Sequence, residues 1–171
     1  SLIKFRTMDN RCDENGKLLP DSVRLNKYGR MLRNTSLDEL PELINILKGD
    51  MSIIGPRPQL VRDMVFMTDE QRRRHDVRPG LSGLAQVRGR NNITWEEKLA
   101  YDLEYIKDIT CLGDIKIILE TLWKAFVKQA DISTEGMETA EDFGDYLLRV
   151  GEVDNDTYTE CQEKARELLN V

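Results

Sequence analysis

The tetrapeptide Gly55-Pro56-Arg57-Pro58 constrains this chain more than any other stretch. It follows the apolar run Met51–Ile54. Neither proline can donate to a sheet ladder or continue a helix, so that run reads as a brief strand that stops there. The prolines fix the backbone on both sides of Arg57, and Gly55 permits a tight approach. The guanidinium is thereby pre-oriented for a bidentate grip on a phosphate or a planar base edge. An ordinary strand-to-helix turn carrying a surface arginine has the same sequence.

Upstream, Ser36-Leu37-Asp38-Glu39 has the S-x-x-E spacing of a capping box. It opens a predicted helix with apolar positions at Leu37, Leu40, Leu43, Ile44 and Leu47 and a stop at Lys48-Gly49. A cap accounts for Glu39 better than for Asp38. A carboxylate at a helix start can also attack phosphorus when a cation offsets the repulsion between two anions. A neighbouring glutamate can hold Mg²⁺, which usually takes one or two protein carboxylates plus phosphate oxygens. The residues by themselves leave both readings open.

The remaining pattern is mostly helical. Alternation at Ile3, Phe5 and Thr7 suggests a short strand, and residues 9–22 read as a loop with turns. Helices are expected over 23–33, in two pieces between Gln59 and His75 (the second capped by Thr68 or Asp69), from a Thr94 capping box, and over 112–128. The last of these is apolar enough to be largely buried, and the stripes around Trp95 and Trp123 read as core. Gly83–Val87 is a possible strand. After Gln129 a linker-like stretch leads to two short acidic helices near 139–149 and 155–169. The expectation is an α+β fold, mostly helical, with a small sheet or hairpin supporting the Asp38 helix. Residues 1–130 would form the core and 131–171 an acidic helical extension.

Charge divides along the same boundary. Residues 131–171 hold 12 acidic and 3 basic side chains, whereas 1–130 hold 22 basic and 19 acidic, within an overall net charge of −6. A mildly basic body suits phosphate ligands or an anionic lipid surface. Arg72-Arg73-Arg74-His75 is one helical turn whose side chains point several ways, so it reads as a solvated or membrane-facing patch rather than a nucleic-acid site. His75 is the only histidine, which excludes His-rich metal sites and a second catalytic histidine. Cys12, Cys111 and Cys161 have no metal-ligand spacing and read as free thiols. No run of 18 apolar residues is present to span a bilayer. The start enters a strand pattern directly, as expected of a piece of a longer chain.

Several segments occur in an order that resembles bacterial sugar transferases, the monotopic phosphoglycosyl transferases that initiate glycan assembly. They are Lys4-Phe5-Arg6-Thr7-Met8, the Ser36–Pro58 block, Arg74-His75, Val77-Arg78-Pro79-Gly80, Gly83, Ala85-Gln86-Val87 and Gly89-Arg90-Asn91. The resemblance covers roughly residues 2–130. It implies attack by an aspartate on the β-phosphate of a UDP-sugar, release of UMP, and transfer of the sugar-phosphate from the aspartate to polyprenol phosphate. Asp38 matches the nucleophile and Glu39 its dyad partner, with Mg²⁺ at the pair. Arg57 matches an arginine near the nucleotide, and Arg33 and Arg90 match basic positions facing phosphate.

The resemblance also implies a site at the cytoplasmic face of a bacterial membrane, reached through a re-entrant helix that would precede this stretch, which is expected to be soluble by itself. Glu42, Leu84 and Arg88 depart from the frequent glutamine, tryptophan and asparagine. A non-catalytic interaction domain and another Mg²⁺-dependent phosphotransferase are the alternatives. The sugar, the polyprenol length and the oligomeric state are not legible.

Overall fold

The computed structural model describes residues 2–89, 93–127 and 141–169, with the side chains of 125–127 left aside. In chain order the elements are α1 (Asp21–Arg24), α2 (Lys27–Asn34), a 3₁₀ turn Leu37–Glu39, α3 (Glu42–Lys48), β1 (Ser52–Ile54), α4 (Val61–Met64), α5 (Asp69–Arg72), a 3₁₀ turn Arg73–His75, β2 (Gly80–Ser82), α6 (Leu84–Arg88), α7 (Trp95–Lys107), α8 (Cys111–Val127), α9 (Phe143–Val150) and α10 (Asn155–Leu169). The α+β, mostly helical expectation is met.

The sheet is a parallel pair, with Ser52 opposite Gly80 and Ile54 opposite Ser82. Parallel strands need a long crossover. Here it is the Pro-flanked loop followed by α4, α5 and the second 3₁₀ turn. The sheet is therefore not a hairpin. Ser52 N donates to Pro79 O at 2.8 Å, and beyond the strand Gly55 N donates to Ser82 O at 2.9 Å. The backbones meet so closely that a Cβ on Gly80 would lie 2.1 Å from Gly55 N.

Two clusters form the core. Ile54, Val87, Tyr105 and Ile117 join β1 to α6, α7 and α8. Met67, Leu99, Phe143 and Leu147 join the α4–α5 region and α7 to α9, and the Trp95 ring lies 5.0 Å from that of Phe143. The acidic extension thus contributes side chains to the second cluster. Buried Asp63 accepts from Phe143 N at 2.9 Å and so supplies the start of α9 with an acceptor from α4. Thr68 and Thr94 both form the capping boxes their sequences predict.

Other expectations are corrected. Residues 3–7 form no ladder. Ile3 N donates to Asn45 Oδ1 and Phe5 N to Asp38 O, so the segment is extended but tied to the 38–45 region rather than to a strand. The helix expected over 23–33 breaks at Leu25–Asn26, because Asn26 accepts from Gly29 N and starts α2 afresh. Gly83–Val87 is not a strand: β2 ends at Ser82, and α6 turns Ala85 and Val87 inward. A short apolar run does not distinguish the two periods.

The expected burial of α8 also fails. Ile117 is buried, but Leu112, Ile115, Leu119, Leu122 and Trp123 are exposed, Leu112 by 80% and Trp123 by 62%. The linker-like stretch 131–136 lies outside the described residues, and the helix expected near 139–149 is observed as Phe143–Val150.

Phe143 fills the second cluster from the extension. Replacing it with alanine should lower unfolding free energy by about 3–5 kcal/mol. Urea denaturation would check this, and a loss under about 1 kcal/mol would mean that the extension is not fastened to the core.

Candidate active site

The site begins where the capping box fails. Ser36 adopts a left-handed backbone at φ 54° and makes no side-chain cap. Its N–H, which Glu39 would have to reach in a capping box, already donates to Arg33 O at 3.2 Å. Pro41 cannot occupy the second turn of a helix that starts at Ser36, since its ring would clash with the Leu37 carbonyl. It fits just before a first turn, and α3 accordingly starts at Glu42. The intervening 3₁₀ turn releases the Glu39 carboxylate for other partners.

Those partners are cations from two distant segments. The tethered N-terminal segment brings Lys4 Nζ to 3.2 Å from Glu39 Oε1 and 3.0 Å from Oε1 of buried Glu42. Arg57 Nη2 reaches the same Glu39 oxygen. Glu39 Oε2 has no hydrogen bond or ion pair among the described residues. The Arg57 side chain remains 38% exposed, so its grip on Glu39 leaves it open to solvent.

Neighbouring carboxyls are treated oppositely. Burial first, and then the charge of Glu39, push Asp38 above the ordinary aspartate value of 3.8, against the pull of Lys4 and Arg33. Burial also works against ionisation of Glu39, but Arg57 and Lys4 outweigh it and hold the carboxyl below 4.5. The two adjacent carboxyls thus sit in different charge environments. Glu39 is locked as an anion between cations. The Asp38 side chain makes no ion pair with the described residues, and the hydrogen bond that favours its ionised form comes from its own backbone N–H.

Of the site residues expected from sequence, Asp38, Glu39 and Arg57 come together. Arg33 donates from Nε to Thr7 Oγ1 at 3.1 Å while its charge favours ionised Asp38. Arg90 lies outside the described residues. Among those residues no group of three His, Cys, Asp or Glu side chains is placed to hold a metal ion. The pair formed by Asp38 and Glu39 suits a cation that keeps most of its waters, as Mg²⁺ does, rather than a closed transition-metal site.

Sequence reasoning assigned no role to Lys4 or Asp102 and read Arg74 as part of a solvated or membrane-facing patch. Arg74 instead points inward, 1% exposed, and donates from Nη2 to Arg57 O at 2.7 Å. The buried anion that would have flagged it lies 28 positions away on α7.

Comparison with known proteins gives the family of the chain. Residues 1–128 match the family described as bacterial sugar transferase. The chain is 47% identical over 143 residues to the "Uncharacterized sugar transferase EpsL" of Bacillus subtilis, covering 84% of this chain and 70% of that protein. It is 41% identical over 144 residues to the "UDP-glucose:undecaprenyl-phosphate glucose-1-phosphate transferase" of Escherichia coli, covering 74% of this chain and 30% of that one. It is also 41% identical over 103 residues to the "Undecaprenyl-phosphate galactose phosphotransferase" of Salmonella typhimurium, covering 60% of this chain and 22% of that one. The chain belongs to the bacterial sugar transferase family. It spans less than a third of the length of the latter two relatives.

The electrostatics of the pair can be read directly. Carboxyl ¹³C titration should give Asp38 an inflection above 3.8. Glu39→Gln removes the neighbouring charge and frees Lys4 and Arg57 to act on Asp38, so that inflection should move down. An unchanged or raised value would show that the two carboxyls are not coupled as described.

Proposed function

We propose that a protein containing this chain transfers a sugar-1-phosphate from a UDP-sugar to polyprenol phosphate through a covalent intermediate on Asp38. The observation that supports this most is the contrast within the dyad: Glu39 is held between Lys4 and Arg57, while the adjacent Asp38 carboxylate makes no ion pair with the described residues. The names of the relatives, which specify undecaprenyl phosphate as acceptor and in one case UDP-glucose as donor, point the same way.

An Asp38 oxygen attacks the β-phosphorus of the donor. The bond from that phosphorus to the bridging oxygen breaks, and UMP leaves with the oxygen and its electron pair. A phosphate oxygen of the polyprenol phosphate then attacks the same phosphorus, and Asp38 departs as a carboxylate. An aspartate ionised at about neutral pH needs no general base for the first step. Phosphoryl transfer depends chiefly on positioning and charge neutralisation. Arg57 and Arg33 meet the phosphates, as does Arg90 by the resemblance. Asp38 and Glu39 would hold Mg²⁺, which supplies further neutralisation of phosphate charge when bound.

A lipid acceptor requires the site to lie at a membrane surface. The exposed stripe Leu112, Ile115, Leu119, Leu122 and Trp123 follows one face of α8, and Leu40, Leu43, Ile44 and Leu47 are exposed around α3. We assign these faces to the lipid surface, in keeping with an acceptor whose tail is hydrocarbon. Among the described residues no helix is long and apolar enough to cross a membrane.

Asp38→Asn should abolish the sugar-phosphate adduct seen by intact mass and cut UMP release by about a thousandfold or more. Normal UMP release from this variant would remove Asp38 as nucleophile. Glu39→Gln should flatten the dependence of rate on Mg²⁺ concentration. Leu119→Asp with Leu122→Asp should lower co-sedimentation with phospholipid vesicles about tenfold or more while adduct formation from soluble UDP-sugar persists. Unaltered vesicle binding would place the lipid contact elsewhere.

A further inference from the structure

Arg74 closes a run of three arginines, and its two predecessors are exposed. Its own guanidinium is held inside by Asp102 on α7, with Nε at 2.9 Å and Nη2 at 2.6 Å from Oδ2. Arg74 is 1% exposed and Asp102 is 2% exposed. A buried ion pair of this kind is weak evidence for stability, because hydrocarbon of similar volume often serves as well or better. Hydrocarbon cannot, however, replace the third contact. Arg74 Nη2 donates to the backbone carbonyl of Arg57 at 2.7 Å.

That carbonyl is one of the few handles on the loop. Pro56 and Pro58 have no N–H with which the backbone could be anchored. Beyond the Gly55 N–H, which donates to Ser82 O, the loop is fastened through acceptors: Pro56 O accepts from Gly80 N at 2.9 Å, and Arg57 O accepts from Arg74. Proline restricts φ at its own position and disfavours the α region for the residue before it. The hydrogen bond to the carbonyl then fixes the peptide plane following Arg57. The direction in which the Arg57 side chain leaves the loop is set by these restraints together, and it ends on Glu39.

We propose that Arg74 and Asp102 are positioning residues for transfer: acting through the Arg57 carbonyl, they hold the Arg57 guanidinium where it grips Glu39 and meets the donor phosphates. The inference rests on the reading of Arg57 as part of the active site. Neither residue is assigned contact with substrate. Asp102 orients Arg74, Arg74 holds the loop, and the loop aims Arg57.

A double-mutant cycle with Arg57 separates positioning from mere cross-linking of α7 to the 3₁₀ turn. The paired substitution Arg74→Met/Asp102→Leu leaves no uncompensated buried charge, so it should melt near the parent protein. Asp102→Asn provides a second variant, assayed well below its own melting midpoint. In the intact protein with a UDP-sugar and polyprenol phosphate, each should lower kcat by about 10- to 100-fold, with a smaller change in KM. In an Arg57→Ala background neither should lower it further. Full activity of the paired variant, or the same fold-loss with and without Arg57, would overturn the proposal. Normal activity of Arg57→Ala alone would instead overturn the reading of the site, whatever the pair does.

Discussion

The contact between Arg57 and Glu39 joins parts of the chain that local structure does not bring together. Glu39 sits on a 3₁₀ turn that begins two residues beyond the C-cap of α2, whereas Arg57 lies beyond β1. Lys4 joins the same oxygen from the extended N-terminal segment. One carboxylate oxygen facing two cations loses much of its freedom to move or to take up a proton. The adjacent residue, facing no such pair, differs in charge environment although it is the same kind of acid. The contrast is a property of tertiary contacts, since the two residues are neighbours in sequence.

This explains which parts of the site could be read in advance. The residues were legible because the arginine between two prolines and the acidic pair are both unusual locally. The partner of Glu39 was not. The S-x-x-E spacing favours a capping box, and nothing within the tetrapeptide reveals that the Ser36 N–H is already taken by Arg33 O. Pro41 carries the missing signal, since a proline five positions after a supposed N-cap is poorly placed inside a helix. Thr68 and Thr94, with no proline following so closely, form the boxes their sequences predict. Arg74 was hidden for a different reason. A helical turn of three arginines must point them in different directions, but which one turns inward depends on an aspartate on another helix.

Elements were read more reliably than their surroundings. The strand at Met51–Ile54 and the long helices α7, α8 and α10 emerge from periodicity, and the structure places them within a few residues of expectation. Periodicity identifies the apolar side of a helix but not what that side meets. On α7 the apolar residue Leu99 meets other protein residues in the second core cluster. On α8 Ile117 is buried against protein, while Leu112, Ile115, Leu119, Leu122 and Trp123 stay exposed. A soluble domain of this size has little reason to leave so continuous an apolar stripe in water. The misjudged burial of α8 is therefore informative, because it marks an apolar stripe that the described core does not cover.

The two halves of the proposed chemistry make opposite physical demands. Nucleotide and phosphates need fixed cations and water-accessible carboxylates; a polyprenol tail needs hydrocarbon. The chain meets the first with buried or tethered charges at the ends of short elements, where Arg57, Glu39 and Arg74 are held by contacts spanning 17 or 18 residues. For the second, the proposal turns to the regular faces of helices, which among the described residues present exposed apolar side chains in a row. Fixing charge requires irregular backbone, because turns and proline-bounded loops can aim single side chains that a helix would spread around its axis. Contacting lipid favours regular backbone for the opposite reason. The short strand pair serves the first demand: Gly55 N donates to Ser82 O and Gly80 N to Pro56 O, so the loop after β1 is bound to both ends of β2 and Arg57 reaches Glu39 from it.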